Sequence, residues 1–137
     1  MKKFLILNLV LQFILINCVA CRDRNTESVL MDYKNSSFRH FYVEDNTVHI
    51  VCTLTFQNID KRDLKFCVTG YSEEDVNCGL LSDPTLSVLN METNDEFFYL
   101  PAGTTKQFDV EFYGKYGGEL QKANRLLPNV IEIKVLD

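Results

Sequence analysis

Three groups of side chains in this 137-residue chain are equipped for chemistry: the cysteines at 18, 21, 52, 67 and 78, the histidines at 40 and 49, and nineteen carboxylates. Nucleophilic catalysis needs a base beside a Ser or Cys and an orienting acid behind it. His40 and His49 both fall in segments of strand pattern, and no Gly-x-Ser-x-Gly elbow, phosphate-binding loop or His-Glu-x-x-His pair accompanies them. Zinc normally takes closely spaced ligand pairs, and His49, Cys52, Cys67 and Cys78 contain none. His49 and Cys52 also belong to opposite faces of one alternating segment. The acidic stretches 73–75 and 92–96 lack the alternate ligands and central Gly of a calcium loop and read as solvated turns. A carboxylate pair for glycoside hydrolysis is available among so many acids, but a body this short offers little cleft for it. The expectation is a protein without catalytic residues, metal or cofactor.

The cysteines of the body have two structural roles to choose from. Cys52 alternates in phase with Ile50 and Leu54, which makes it a small core hydrophobe. Cys67 lies on the face opposite Phe66 and Val68. If residues 64–71 and 76–81 pair as a hairpin, Cys67 and Cys78 come within disulfide reach, and such a short bridged loop stabilises by about 2 to 3 kcal/mol. The alternative is two free thiols. The triplet Asn35-Ser36-Ser37 matches a glycosylation acceptor, a pattern short enough to arise by chance.

The elements that must position these groups are strands. Apolar residues alternate with polar ones at Val48, Ile50, Cys52, Leu54 and Phe56, at Phe108, Val110 and Phe112, and at Ile131, Ile133 and Val135. Weaker strands are predicted over 37–43, 64–71, 76–81, 85–91 and 96–100, between clusters rich in Asp, Asn, Pro and Gly. Short strands at this spacing, with no crossover helices, predict an all-β antiparallel sandwich of about seven or eight strands over 37–137.

The first residues have a different composition. Lys2-Lys3 precedes an apolar run over 4–16 that ends before the charged Arg22-Asp23-Arg24, the layout of a signal peptide over 1–20 and too short to span a membrane. Leu15-Ile16-Asn17-Cys18 and Cys18-Val19-Ala20-Cys21 resemble the lipobox of bacterial lipoproteins, with Asn17 for the usual small residue in one frame and Cys18 for the usual Leu in the other. The resemblance implies palmitate-type acyl chains on Cys18 or Cys21 and a soluble domain held at the extracytoplasmic face of the cell membrane. Ala20 also suits an ordinary signal peptidase, which would leave a freely secreted protein. Residues 21–36 then form a tether, with an early strand at Val29-Leu30-Met31. Loss of Lys2 and Lys3 leaves twelve basic against nineteen acidic side chains, a net charge of −7. That balance argues against nucleic acid as a partner.

Phe98-Tyr99-Leu100-Pro101-Ala102-Gly103-Thr104-Thr105, followed by Phe108-Asp109-Val110-Glu111-Phe112, resembles bacterial immunoglobulin-like domains, in which a Leu-Pro-x-Gly turn leads into a strand. The chain has no Trp, so the core Trp of antibody-type domains is missing. The resemblance implies a fold used for adhesion, ligand display or spacing. One long connection, residues 114–128, interrupts the strand pattern and gathers Lys115, Lys122 and Arg125 on an acidic protein. It is either a helical plug that buries Leu126 and Leu127, with Leu120, Ala123 and Leu127 at helical spacing, or a recognition loop in which Tyr116, Lys122, Asn124 and Arg125 meet a protein or anionic partner. The expected function is a non-catalytic binding or spacer module at the cell envelope; the alternative is a freely secreted inhibitor or effector.

Overall fold

The computed structural model describes residues 27–120 and 127–136. Eight strands account for most of them: β1 (Val29–Met31), β2 (Ser37–Glu44), β3 (Thr47–Asn58), β4 (Leu64–Tyr71), β5 (Thr85–Asn90), β6 (Phe97–Leu100), β7 (Thr105–Lys115) and β8 (Val130–Leu136). All pairings are antiparallel. In the first sheet β3 is central: β7 runs along one edge of it, while β2 and β1 share the other edge end to end. In the second sheet β4 is central, with β8 along one edge and β6 and β5 sharing the other.

β5 belongs to both sheets. Thr85 and Leu86 pair with Tyr71 and Gly70 of β4, and Ser87 to Asn90 then pair with β7. This strand closes one side of the sandwich over half its length. Beyond it, among the described residues, no strand lies between the outward edge of β6 and the first half of β7.

The period-two pattern explains which face is buried. Val48, Ile50, Cys52, Leu54 and Phe56 of β3 point inward with Phe108, Val110 and Phe112 of β7, against Leu64, Phe66 and Val68 of β4 and Phe98 and Leu100 of β6. Four of these rings meet at the centre. Phe56 lies 5.1 Å from Phe66 and 6.1 Å from Phe108, and Phe98 lies 5.4 Å from Phe66 and 5.2 Å from Phe108, centroid to centroid. Edge-to-face and tilted packing of this kind adds about 0.5 to 1.5 kcal/mol per pair beyond the burial itself. At Gly70 the fit leaves no room for a side chain, since a Cβ there would stand 2.8 Å from the Phe112 ring.

Two expectations need correction. Residues 76–81 do not form a strand: α1 (Glu73–Asn77) occupies the first part, and Leu80 and Leu81 are buried from the irregular segment that follows. Three carboxylates in the first turn favour a helix there, because they face unsatisfied backbone N–H groups. The Ser72 hydroxyl donates to the Asp75 carboxylate at 2.7 Å, tying the entry to that turn. The folded body also reaches further back than the expected tether boundary at 36. β1 pairs with the end of β3, and the 3₁₀ turn Tyr33–Asn35 accepts a 2.6 Å hydrogen bond from Thr55 Oγ1 through the Asn35 carbonyl. The apolar island at Val29, itself buried, is the early strand that was expected.

Candidate functional site

The thiols are placed apart. Cys52 is fully buried, and burial pushes its thiol up to about 12. Cys67 is half-buried on the outer face of β4, between Phe97 of β6 and Lys134 of β8. Cys78 caps α1, with its Sγ 3.5 Å from the Asp75 carbonyl oxygen. No disulfide joins any of the three, so the expected Cys67–Cys78 bridge does not form. It fails because the hairpin that would have aligned them is replaced by the helix. Cys18 and Cys21 lie outside the described residues.

The histidines do converge. The turn at Asp45 and Asn46, both at positive φ, joins β2 to β3 with two residues and so places Tyr42 opposite His49. Their rings stack at 4.6 Å, with His40 stacked 6.3 Å beyond Tyr42. Glu111 of β7 serves both partners. Tyr42 Oη donates to its Oε1 at 2.9 Å, and His49 Nδ1 lies 3.2 Å from the same oxygen. That second approach is within ion-pair range but off the angle of a hydrogen bond, so the buried Nδ1 has no hydrogen-bond partner. The hydrogen bond to Glu111, then desolvation and the carboxylate's charge, raise the Tyr42 phenol above its ordinary range. Arg39, the extra residue of a β2 bulge, reaches Asp109 at 3.2 Å on the same face.

This constellation was missed in the sequence, although the two-residue turn fixes the register that creates it. It gathers Tyr42, His40 and His49 with the carboxylates of Asp109 and Glu111 on one outer face. Among the described residues, no three His, Cys, Asp or Glu side chains are grouped to hold a metal. A cleft of about 430 Å³ opens elsewhere, between β6 and β7, and neither histidine lines it.

The two ends of the sandwich differ in what the chain does there. At the near end, Ile59 N–H donates to the Ser28 carbonyl at 2.9 Å and Ser28 Oγ donates to Asp60 at 3.2 Å, so the N-terminal segment enters beside the β3–β4 turn. At the far end, Tyr116 N–H donates to the Asn46 carbonyl at 3.0 Å, and the long connection begins. Its first residues are zipped to the segment after α1, through Gly117 N–H to the Leu80 carbonyl at 2.7 Å and Glu119 N–H to the Gly79 carbonyl at 3.1 Å. Tyr116 is half-buried against the core. Lys122, Asn124 and Arg125, with Ala123 and Leu126, lie outside the described residues. Where the connection returns, Leu127 packs on the core and Pro128 is buried, whereas Leu120 is exposed.

Compared with protein-family models, with curated proteins and with solved structures, the chain matches none. Among the described residues no helix is long and apolar enough to cross a membrane.

Proposed function

We propose that this protein is exported, anchored by acyl chains on Cys18 or Cys21 to the extracytoplasmic face of the cell membrane, and works without catalysis as a binding or spacer module. The observation that carries the proposal is the opposition of the two ends. The N-terminal segment enters at the end of β3 near Asn58, and the long connection leaves β7 opposite Thr47. Ten residue steps of β3 separate Thr47 from Gln57, about 33 Å at strand rise. A tether at one end therefore presents the start of the connection, from Tyr116 on, at the other. An immunoglobulin-like kinship belongs to the same proposal; its support is the Leu100-Pro101-Ala102-Gly103 corner, where Gly103 takes the positive φ that such a turn requires.

Mass spectrometry of the mature N-terminus tests the anchor, because a lipidated cysteine and an unmodified start differ in mass. An unmodified start in the culture medium overturns anchoring and leaves the secreted inhibitor or effector. Crosslinking on intact cells tests the binding role. Alanine at Lys122, Asn124 and Arg125 together is expected to abolish a crosslinked partner at unchanged melting temperature, and a partner retained at full yield removes the connection as the binding element.

A further inference from the structure

The outer face of the second sheet is unlike the rest of this acidic protein. Side chains on that face come in rows set by register. The row nearest the near end holds Tyr99, Lys65 and Leu136, and the next holds Phe97, Cys67 and Lys134. Tyr99 is 60% exposed and Phe97 42%, although both are large and apolar enough to favour burial. Lys65 Nζ sits 4.2 Å above the Phe97 ring, and no carboxylate is salt-bridged to Lys65 or Lys134 among the described residues. Among the described residues of β4, β6 and β8 the first carboxylate on this face is Glu132, a row further from that end, while Glu92 and Asp95 line the cleft that Lys65, Phe97 and Tyr99 border on the β7 side. At the rim towards β7, Lys106 is already paired with Glu92 at 3.0 Å. Two bare lysines and two exposed aromatic rings thus share one end of one face, on a chain whose mature charge is −7.

We propose that this end of the β6–β4–β8 face docks on the headgroup region of an anionic bilayer. Tyrosine, an aromatic ring with a polar edge, and lysines with long apolar stems are side chains that settle at a membrane–water boundary, and the exposed Phe97 ring adds apolar area beside them. Anionic headgroups complement the two lysines and repel the opposite face, where Asp109 and Glu111 stand. Chain length supplies the second argument, which rests on the anchoring proposed above. Only seven residues separate Cys21 from Val29 and ten separate Cys18 from it, so a lipid on either holds the near end within about 29 to 40 Å of the bilayer. The face that carries the lysines is at that end.

The chain has no Trp, so one indole reports one position. The exported protein carrying Tyr99→Trp is purified from the exporting cells and mixed with phosphatidylcholine vesicles containing or lacking phosphatidylglycerol, with bromine on the acyl chains. Flotation reads association, and quenching of the indole reads which face touches lipid. Quenching at position 99 on the anionic vesicles is expected, with little at a Tyr42→Trp reporter on the opposite face. Lys65→Glu with Lys134→Glu should weaken the quenching association at least tenfold, since each lysine near such a surface contributes about fivefold. Flotation without quenching at position 99 overturns the docked face and leaves the anchor standing. Quenching by a protein found to carry no lipid overturns the anchor and leaves the face. Absence of both overturns both, and a blue shift that grows with protein concentration in lipid-free buffer identifies a second copy as the occupant instead.

Discussion

Cys52 and Cys67 are the same residue type held in opposite states by strand parity. One points inward among Ile50, Leu54 and Val110, and its raised thiol carries almost no thiolate near neutral pH; the other stands on the outer face. Alkylation at pH 8 under native conditions should therefore modify Cys67 and leave Cys52 untouched until the protein is unfolded. Peptide mapping without reductant should find Cys67 and Cys78 unlinked, and a linked pair would refute the placement of Cys78 on α1. Asp60 offers a pH-dependent test. Its hydrogen bond with Arg62, opposed by slight desolvation and helped by Ser28, lowers its carboxyl to about 2. A depressed carboxyl contributes stability that is present above the unfolded value near 4 and is lost as pH falls through about 2. Asp60→Asn should then unfold at lower denaturant than the parent at pH 6, with the gap closing towards pH 2. Because the pair is exposed, the gap should also shrink in high salt.

At the scale of elements, the two glycines whose missing side chains matter most act differently. Alanine at Gly70 would press on the Phe112 ring inside the core, so Gly70→Ala should lower global stability by about 1 to 3 kcal/mol in a denaturant titration. Alanine at Gly117 would meet backbone instead, the Gly79 carbonyl and Leu81, which cannot rotate away. Gly117→Ala should unzip the start of the long connection, seen as faster hydrogen exchange at the Gly117 and Glu119 amides with little change in the amides of β3. The strands themselves were legible. β3, β7 and β8 alternate cleanly, and the turn at Asp45-Asn46 is written in residues that tolerate positive φ. At 76–81 the apolar residues Val76, Leu80 and Leu81 suggest a strand, but Ser72, Glu73, Glu74 and Asp75 stand immediately before them. Those residues spell a helix start, with Ser72 as N-cap and three carboxylates in the first turn. The passage of β5 from one sheet to the other leaves no trace in periodicity, because both sheets bury the same face of it.

Across the whole molecule, charge divides by face and chain entry divides by end. The first sheet shows carboxylates beside Tyr42 and His49, and the second shows bare lysines beside Phe97 and Tyr99. Neither division could be read from composition, because residues distant in sequence become neighbours only through register. Lys65, Phe97 and Lys134 look like isolated surface positions until β4, β6 and β8 align them. The candidate tyrosine of the long connection had the reverse fate: Tyr116, grouped by sequence with a recognition loop, is half-buried against the core and helps fix where the loop starts.

The opposed ends also determine how the protein bears load. If its tether is held and something pulls on the connection after β7, β1 is drawn one way and β7 the other, with β3 between them. Their hydrogen bonds then lie across the force and resist together in shear. β7 is paired with β3 over eleven positions, but β1 over only three, from Val29 to Met31. The weak link is β1. Single-molecule extension between the N-terminus and residue 117 should show a small early release, the length of β1 and the turn that follows it, before the body yields. The body yielding first would contradict this order. Under such a load the shortest strand among the described residues would act as a strain relief, giving way while the folded core stays whole.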